Sequence, residues 1–215
     1  MEIIALQEHE EKALERADAV IRSGGLVAVP TDTVYGIIAD AANAEAVKWL
    51  YELKHRPKEK AFPVFVKDVA MARWFAYISD AKARFLEGVW PGPVTMVFHH
   101  KEKLPPILTR DLDTIAMRVP NYPFLLALLD RLNMPLAQSS ANLSELPPAT
   151  SAQAVIASFE EQEQRPDLII DGGECCAVPS TIINFTNNNP RIVRSGLMSK
   201  EEIDVLLSQL QMIAK

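Results

Sequence analysis

Val29-Pro30-Thr31-Asp32-Thr33-Val34-Tyr35-Gly36 grows out of a short apolar run, Leu26 to Val29, that reads as a buried strand ended by Pro30. After the proline come a hydroxyl, a carboxylate, a second hydroxyl and a phenol, closed by a glycine. Donors and acceptors gathered at the end of a strand suit a ligand site in an α/β fold. The same residues also suit a plain strand-end turn capped by Asp or Thr.

A basic run lies some twenty residues downstream, Lys54-His55-Arg56-Pro57-Lys58-Glu59-Lys60. Lys54 closes a helical pattern, and Pro57 moves Arg56 into an extended conformation. If the run stays extended, Lys54, Arg56, Lys58 and Lys60 project to one side. Four cations on one side repel one another unless water or a polyanion lies between them. The run is therefore either a solvated loop or the seat of an anion.

The surrounding pattern alternates short strands with helices. Glu10 to Ser23 carries an apolar helical stripe and ends at Gly24-Gly25, and a second strand is expected near Ile37–Ala39. Asn43 is placed to cap a helix running to Lys54. Pro63–Lys67 reads as a strand, Asp68 caps a helix through Phe75, and Ser79 caps one through Val89. Val94–His99 and Thr114–Pro120 read as strands, Tyr122–Leu132 as a helix, and Pro135–Gln138 as a short strand. Ser151 caps a helix to Phe159; strands follow at Asp167–Asp171, Ser180–Phe185 and Arg191–Arg194, with a last helix over Ser199–Ile213. Several neighbouring strands mixed with helices predict an α/β sheet of mixed direction.

Composition narrows the function. The 215 residues suit one domain, 1–215, with a substantial core, and 48% hydrophobic content is ordinary for a soluble globular chain. No apolar run approaches the roughly 20 residues of a membrane span, and the N-terminus lacks a signal peptide's pattern, so a cytoplasmic protein with no membrane contact is expected. The net charge of −6 argues against bulk electrostatic binding of nucleic acid, although a local basic patch can still bind phosphates. Cys175 and Cys176 are adjacent, which suits neither a disulfide nor a zinc site. The histidines have no metal-ligand spacing, and Walker, Rossmann and nucleophile-elbow motifs are all missing. Any nucleotide must be held by dispersed cations and hydroxyls.

Pro30-Thr31-Asp32-Thr33-Val34-Tyr35-Gly36 and Lys54-x-Arg56-Pro57-x-x-Lys60 together resemble the threonylcarbamoyl-adenylate synthase family of the YrdC type. The likeness continues through Trp90-Pro91-Gly92-Pro93-Val94-Thr95, Met117-Arg118-Val119-Pro120 and Ser139-Ser140-Ala141-Asn142-Leu143-Ser144. Pro179-Ser180-Thr181 and Arg194-Ser195-Gly196 complete it in the same order. The resemblance implies a twisted mixed sheet with flanking helices around a concave basic cleft. It implies synthesis of threonylcarbamoyl-AMP and pyrophosphate from L-threonine, bicarbonate or CO₂, and ATP with Mg²⁺. Partner proteins then transfer the group to adenosine 37 of tRNA.

Residue by residue, the resemblance assigns ATP contact to Arg56, Lys60, Thr114, Asn142, Thr150 and Arg194, with Lys54 in the same basic motif. It assigns L-threonine contact to Thr33, Arg118, Ser140 and Ser180, with Thr31, Asp32 and Tyr35 in the same segment. From its chemistry alone, the Arg118 guanidinium on an apolar strand is either ion-paired or bound to a ligand carboxylate. Asp32 either holds its loop as an Asx turn or holds Mg²⁺ through water. No residue stands out as a general base. Ala61, Phe65 and Glu145 depart from the family pattern: Ala61 removes a proline, Phe65 replaces a histidine of archaeal-type members, and Glu145 puts an anion close to Asn142. Longer members carry an extra C-terminal domain, whereas about one helix follows Arg194 here. The alternatives are a double-stranded RNA-binding module using the same cleft, or an inactive paralogue.

Overall fold

In the computed structural model, residues 1–57, 59–144, 146–187, 189–199, 201–203, 205 and 208 are described, and ten strands form one sheet. The elements run β1 (Glu2–Ala5), α1 (Glu10–Arg22), β2 (Val27–Val29), β3 (Gly36–Asp40), α2 (Ala44–Lys54), β4 (Val64–Phe65), α3 (Val69–Phe75) and α4 (Asp80–Val89). There follow β5 (Val94–His99), α5 (Pro106–Thr109), β6 (Thr114–Arg118), α6 (Pro123–Leu132), β7 (Leu136–Ser140), α7 (Ala152–Phe159), β8 (Leu168–Asp171), β9 (Thr181–Asn184) and β10 (Arg191–Arg194). The spatial order is β1-β8-β2-β3-β7-β4-β6-β5-β9-β10, with parallel and antiparallel neighbours intermixed. This is the expected mixed α/β sheet.

Local chemistry starts the helices where the sequence predicts. Asn43 Oδ1 accepts from the N–H groups of Glu45 and Ala46, and Asp68, Ser79 and Ser151 each accept from a first-turn N–H. Each cap satisfies a donor that the helix leaves unpaired. Two elements were not read from the sequence. β1 is four residues whose pairing with β8 comes from the far end of the chain, and α5 is a single turn. β4 keeps only two of the five residues expected at 63–67. The helix expected over 199–213 and the Glu145 departure lie wholly or largely outside the described residues, as does Lys58.

The placement of the helices creates the site. One face of the sheet is covered along its length: Met96, Met117, Val64 and Ala137 pack there with residues of α2, α4 and α7. On the opposite face, α1 and α6 bury Ile4, Val27, Val29, Ile38, Phe65, Leu136, Leu168 and Ile170. Burial of each such side chain contributes about 1.5–3 kcal/mol. The second cluster takes side chains from β1, β8, β2, β3, β7 and β4, and none from β6, β5 or β9. Side chains alternate along a strand, so Thr95, Ala116, Arg118 and Ile182 emerge on that same face beyond the reach of α1 and α6. They line an open cavity of about 420 Å³.

Candidate active site

The cavity's rim on one side is the turn between β2 and β3. Thr31 Oγ1 donates to the Val34 carbonyl at 2.7 Å and accepts from the Thr33 N–H at 2.9 Å. Its oxygen also lies 2.9 Å from Thr33 Oγ1. The two hydroxyls thus close the turn on themselves. Tyr35 donates to the Gly173 carbonyl at 2.8 Å and accepts from the Gly172 N–H at 3.1 Å, so it clamps a distant loop against the turn. Burial pushes its hydroxyl well above the usual tyrosine range, and it stays neutral.

Arg118 reaches this turn from β6. Its Nε donates to the Gly92 carbonyl at 2.8 Å, Nη1 donates to Thr33 Oγ1 at 3.2 Å, and Nη2 lies 2.5 Å from Asp32 Oδ1. The last contact is a charge pair rather than an aligned hydrogen bond: among the described residues, neither Asp32 oxygen nor Arg118 Nη2 has a hydrogen-bond partner. Burial lowers the Arg118 pKa and the Asp32 charge opposes that shift. The open reading of Arg118 resolves as ion pairing. Asp32 spends its charge on this guanidinium, and the Asx turn considered for it does not form among the described residues.

The basic run differs most from expectation. Extended alternation with all cations on one side is not what forms. Lys54 is still helical, His55 takes a left-handed conformation (φ 46°), and the Lys60 N–H bonds the Pro57 carbonyl at 3.1 Å. The Lys54 ammonium turns inward, 1% exposed, and donates to the Ser140 carbonyl at 2.6 Å, to the Asn142 carbonyl, and to Asn142 Oδ1 at 3.3 Å. A helix end that must bury a cation needs such acceptors, because an unpaired charge there is costly. Asn142 Nδ2 is also committed, to the carbonyls of Leu143 and Leu146 at 2.8 and 2.6 Å. Lys54 and Asn142 together fasten the loop after β7 to the end of α2.

Arg56 does line the cavity. Its Nε and Nη2 donate to the carbonyls of Lys60 and Ala61 at 2.9 and 2.8 Å, and its guanidinium lies 4.6 Å from the Phe62 ring centre. Phe62 in turn meets Tyr51 at 4.2 Å between ring centres, and the Arg110 guanidinium lies 3.6 Å from the Tyr51 ring centre. A cation–aromatic–aromatic–cation stack holds this wall.

Arg194, on β10, donates from Nη2 to the Ser180 carbonyl at 2.8 Å, while Ser180 Oγ pairs with Thr95 Oγ1 at 2.9 Å. Burial lowers the pKa of Arg56 and Arg194, and both remain cations at neutral pH. The structure therefore brings Thr31, Thr33, Tyr35, Arg56, Thr114, Arg118, Ser140, Ser180 and Arg194 to one cavity. It places Lys54, Lys60, Asp32, Asn142 and Thr150 outside the lining. Lys60 is exposed, and Thr150 accepts from the Cys175 N–H at 2.8 Å.

Among the polar lining residues, Thr95, Thr109 and Gln138 were given no role in the sequence reading. Thr95 sits inside a quoted motif. Gln138 lies on β7 two residues before Ser140, on the same face, and the period of two was the signal that could have found it. Three guanidinium groups and no carboxylate line the cavity among the described residues. Such a lining suits a polyanion.

The family model for Sua5, YciO and YrdC proteins, described as "Telomere recombination", matches residues 19–196. The threonylcarbamoyl-AMP synthase of Pyrococcus abyssi is 36% identical over 204 residues, covering 94% of this chain and 59% of that protein. A putative threonylcarbamoyl-AMP synthase of Methanocaldococcus jannaschii is 30% identical, with 92% of each chain covered. Among solved structures, P. abyssi Sua5 complexed with L-threonine superposes with a TM-score of 0.90 at 35% identity, covering 96% of this chain and 61% of that one. The chain spans about three-fifths of the length of the P. abyssi protein.

Proposed function

The chain belongs to the Sua5–YciO–YrdC family, and from that membership we infer that it is an L-threonylcarbamoyladenylate synthase serving tRNA modification in the cytoplasm. The observation that carries the reading is the three-arginine, carboxylate-free cavity lining, with hydroxyl groups set around Arg118. Arg56 and Arg194 both line the cavity as donors for a triphosphate, and Arg118 with Thr33, Ser140 and Ser180 offers a carboxylate and hydroxyl site in the same lining.

In this reading the threonine amine adds to CO₂, forming a carbamate and releasing a proton. A carbamate oxygen then forms a bond to the α-phosphorus of ATP as the bond to the pyrophosphate oxygen breaks. The protein supplies proximity and charge stabilisation: Arg56 and Arg194 favour the leaving pyrophosphate, and Arg118 anchors the amino acid. Mg²⁺ would arrive on the triphosphate, since Asp32, the acid beside the cavity, is already paired with Arg118. The product would then be consumed by a transfer protein acting on tRNA.

The test is pyrophosphate release from ATP and Mg²⁺ with L-threonine and bicarbonate each added or withheld. Release that requires both is expected. Release that ignores threonine would overturn this reading, and steeply salt-dependent RNA binding with no ATP use would replace it with the binding-module alternative.

A further inference from the structure

The geometry points to Gln138 as the residue that selects the amino-acid substrate, by hydrogen-bonding a hydroxyl on its side chain; this rests on the synthase reading above. Gln138 is half-buried on β7, opposite Ile38 of β3, and its own N–H is spent on the Pro63 carbonyl at 2.9 Å. The carboxamide lines the cavity and makes no hydrogen bond with any described residue. A polar side chain on a strand whose neighbour Leu136 is packed under α1 and α6 has no structural need to be polar.

Its direction is set by Gly36, the β3 residue across from Ser140. The point where a Cβ would stand on Gly36 is 3.7 Å from Thr31 Cγ2 and 4.0 Å from Gln138 Oε1. The amide therefore leans over the bare backbone of Gly36 toward the Thr31–Thr33 turn, where the Arg118 guanidinium also ends. In the synthase reading that corner, where Arg118 meets Thr33, is the amino-acid side of the cavity.

Chemistry separates the roles within the corner. A carboxylate only accepts hydrogen bonds and is served by Arg118, whereas an ammonium only donates. A neutral amide both donates and accepts, and so does a hydroxyl. Among the described residues Gln138 is the one carboxamide in the lining, and its natural partner is a ligand hydroxyl. A site that hydrogen-bonds a substrate hydroxyl rejects the analogue lacking it, because its own polar group is then left unpaired.

The experiment compares L-threonine with L-valine, in which a methyl replaces the hydroxyl, using wild type, Gln138→Leu and Gln138→Asn. Two readouts are taken: pyrophosphate release under ATP and bicarbonate, and equilibrium binding of each amino acid by calorimetry. In Gln138→Leu the threonine-to-valine preference should fall by about tenfold or more. The change should sit in the amino-acid KM with the ATP KM unaltered, and Gln138→Asn should restore part of it. An unchanged preference in Gln138→Leu, or an equal rise in the ATP KM, overturns the assignment. Threonine binding without pyrophosphate release by the wild type defeats the synthase reading alone, and the binding ratio still tests Gln138. Wild type that binds neither amino acid overturns both.

Discussion

Arg118 Nη2 and Asp32 Oδ1 lie 2.5 Å apart, with side chains 3% and 14% exposed, so the guanidinium that enters the cavity is held by a nearly buried counter-charge. Removing one partner of such a pair leaves the other charge uncompensated, at a cost of about 3–5 kcal/mol. Asp32→Asn should lower the melting temperature by roughly 6–20 °C for a chain of this size. L-Threonine should then raise the melting temperature of the variant more than that of wild type, because its carboxylate replaces the lost charge. Thermal melts with and without the ligand check both parts, and an unmoved melting temperature refutes the pairing.

Lys54 fixes the loop after β7 through the carbonyls of Ser140 and Asn142 and through Asn142 Oδ1. Lys54→Met keeps the aliphatic stem and leaves the Asn142 carbonyl and Oδ1 unpaired, at about 1–3 kcal/mol each, while the Ser140 carbonyl keeps the Asn142 N–H. Urea unfolding should show a loss of several kcal/mol, in the range of about 2–6. A loss under about 0.5 kcal/mol, typical of a surface substitution, would mean that the ammonium is not the fastening.

The same lysine carries a pH signature. Burial, assisted by the charge of Arg56, pulls its ammonium down to about 7. Between that value and the ordinary lysine pKa of about 10.4, the unfolded chain keeps a proton that the folded protein gives up. More protons bound in the unfolded state means that stability rises with pH. The stability of wild type relative to Lys54→Met should therefore climb from pH 7 to pH 9.5 and be flat below pH 6. A difference constant across that window contradicts the shift.

Phe62 is the surface on which Arg56 lies, and Tyr51 backs it. Phe62→Leu removes the ring face while keeping an apolar group. A partly desolvated cation–π contact is worth about 0.5–2 kcal/mol. The ATP KM should rise by roughly threefold to thirtyfold, with the threonine KM little changed. Steady-state kinetics with each substrate varied in turn will separate the two, and an effect confined to threonine would overturn the assignment of Arg56 to ATP.

Gly36 leaves the floor of the cavity open between Ser139 and Thr31, with the Ser139 carbonyl only 3.3 Å from where a Cβ would be. Gly36→Val would need the Ser139 carbonyl of β7 to give by a few tenths of an ångström, and its methyl groups would fill the corner beside Gln138; a circular-dichroism spectrum like that of wild type checks that the β3–β7 pairing survives. Amino-acid binding should weaken at least tenfold while ATP binding is retained. Calorimetry reads both, and undiminished threonine affinity would place the amino acid elsewhere.

Much of the fold was legible because its signals are local. Asn43, Asp68, Ser79 and Ser151 cap helices through N–H groups two or three residues away, and the apolar stripes of α1 and α6 recur within a few turns. β1 was not legible, because four residues become a strand only through β8. The site was legible as a list of residue types, and its division into lining and scaffolding was not. Lys54 reads like Arg56 in the chain, yet its acceptors lie 86 and 88 residues away. Gln138 carries no motif, and its position on the cavity face becomes visible only once β7 is paired.

The sequence by itself determined most of the helices and strands, the mixed α/β class and the set of cations and hydroxyls, since each depends on neighbours within a turn or two of chain. Tertiary structure alone decided which of those groups meet a ligand. α1 and α6 cover the β1 side of one sheet face and stop at β4, so Arg118, Thr95 and Ile182 line the cavity while Leu136 and Ile170 are packed under helices. That boundary is set by long-range packing, where burial of apolar area and the pairing of buried charge outweigh local preference.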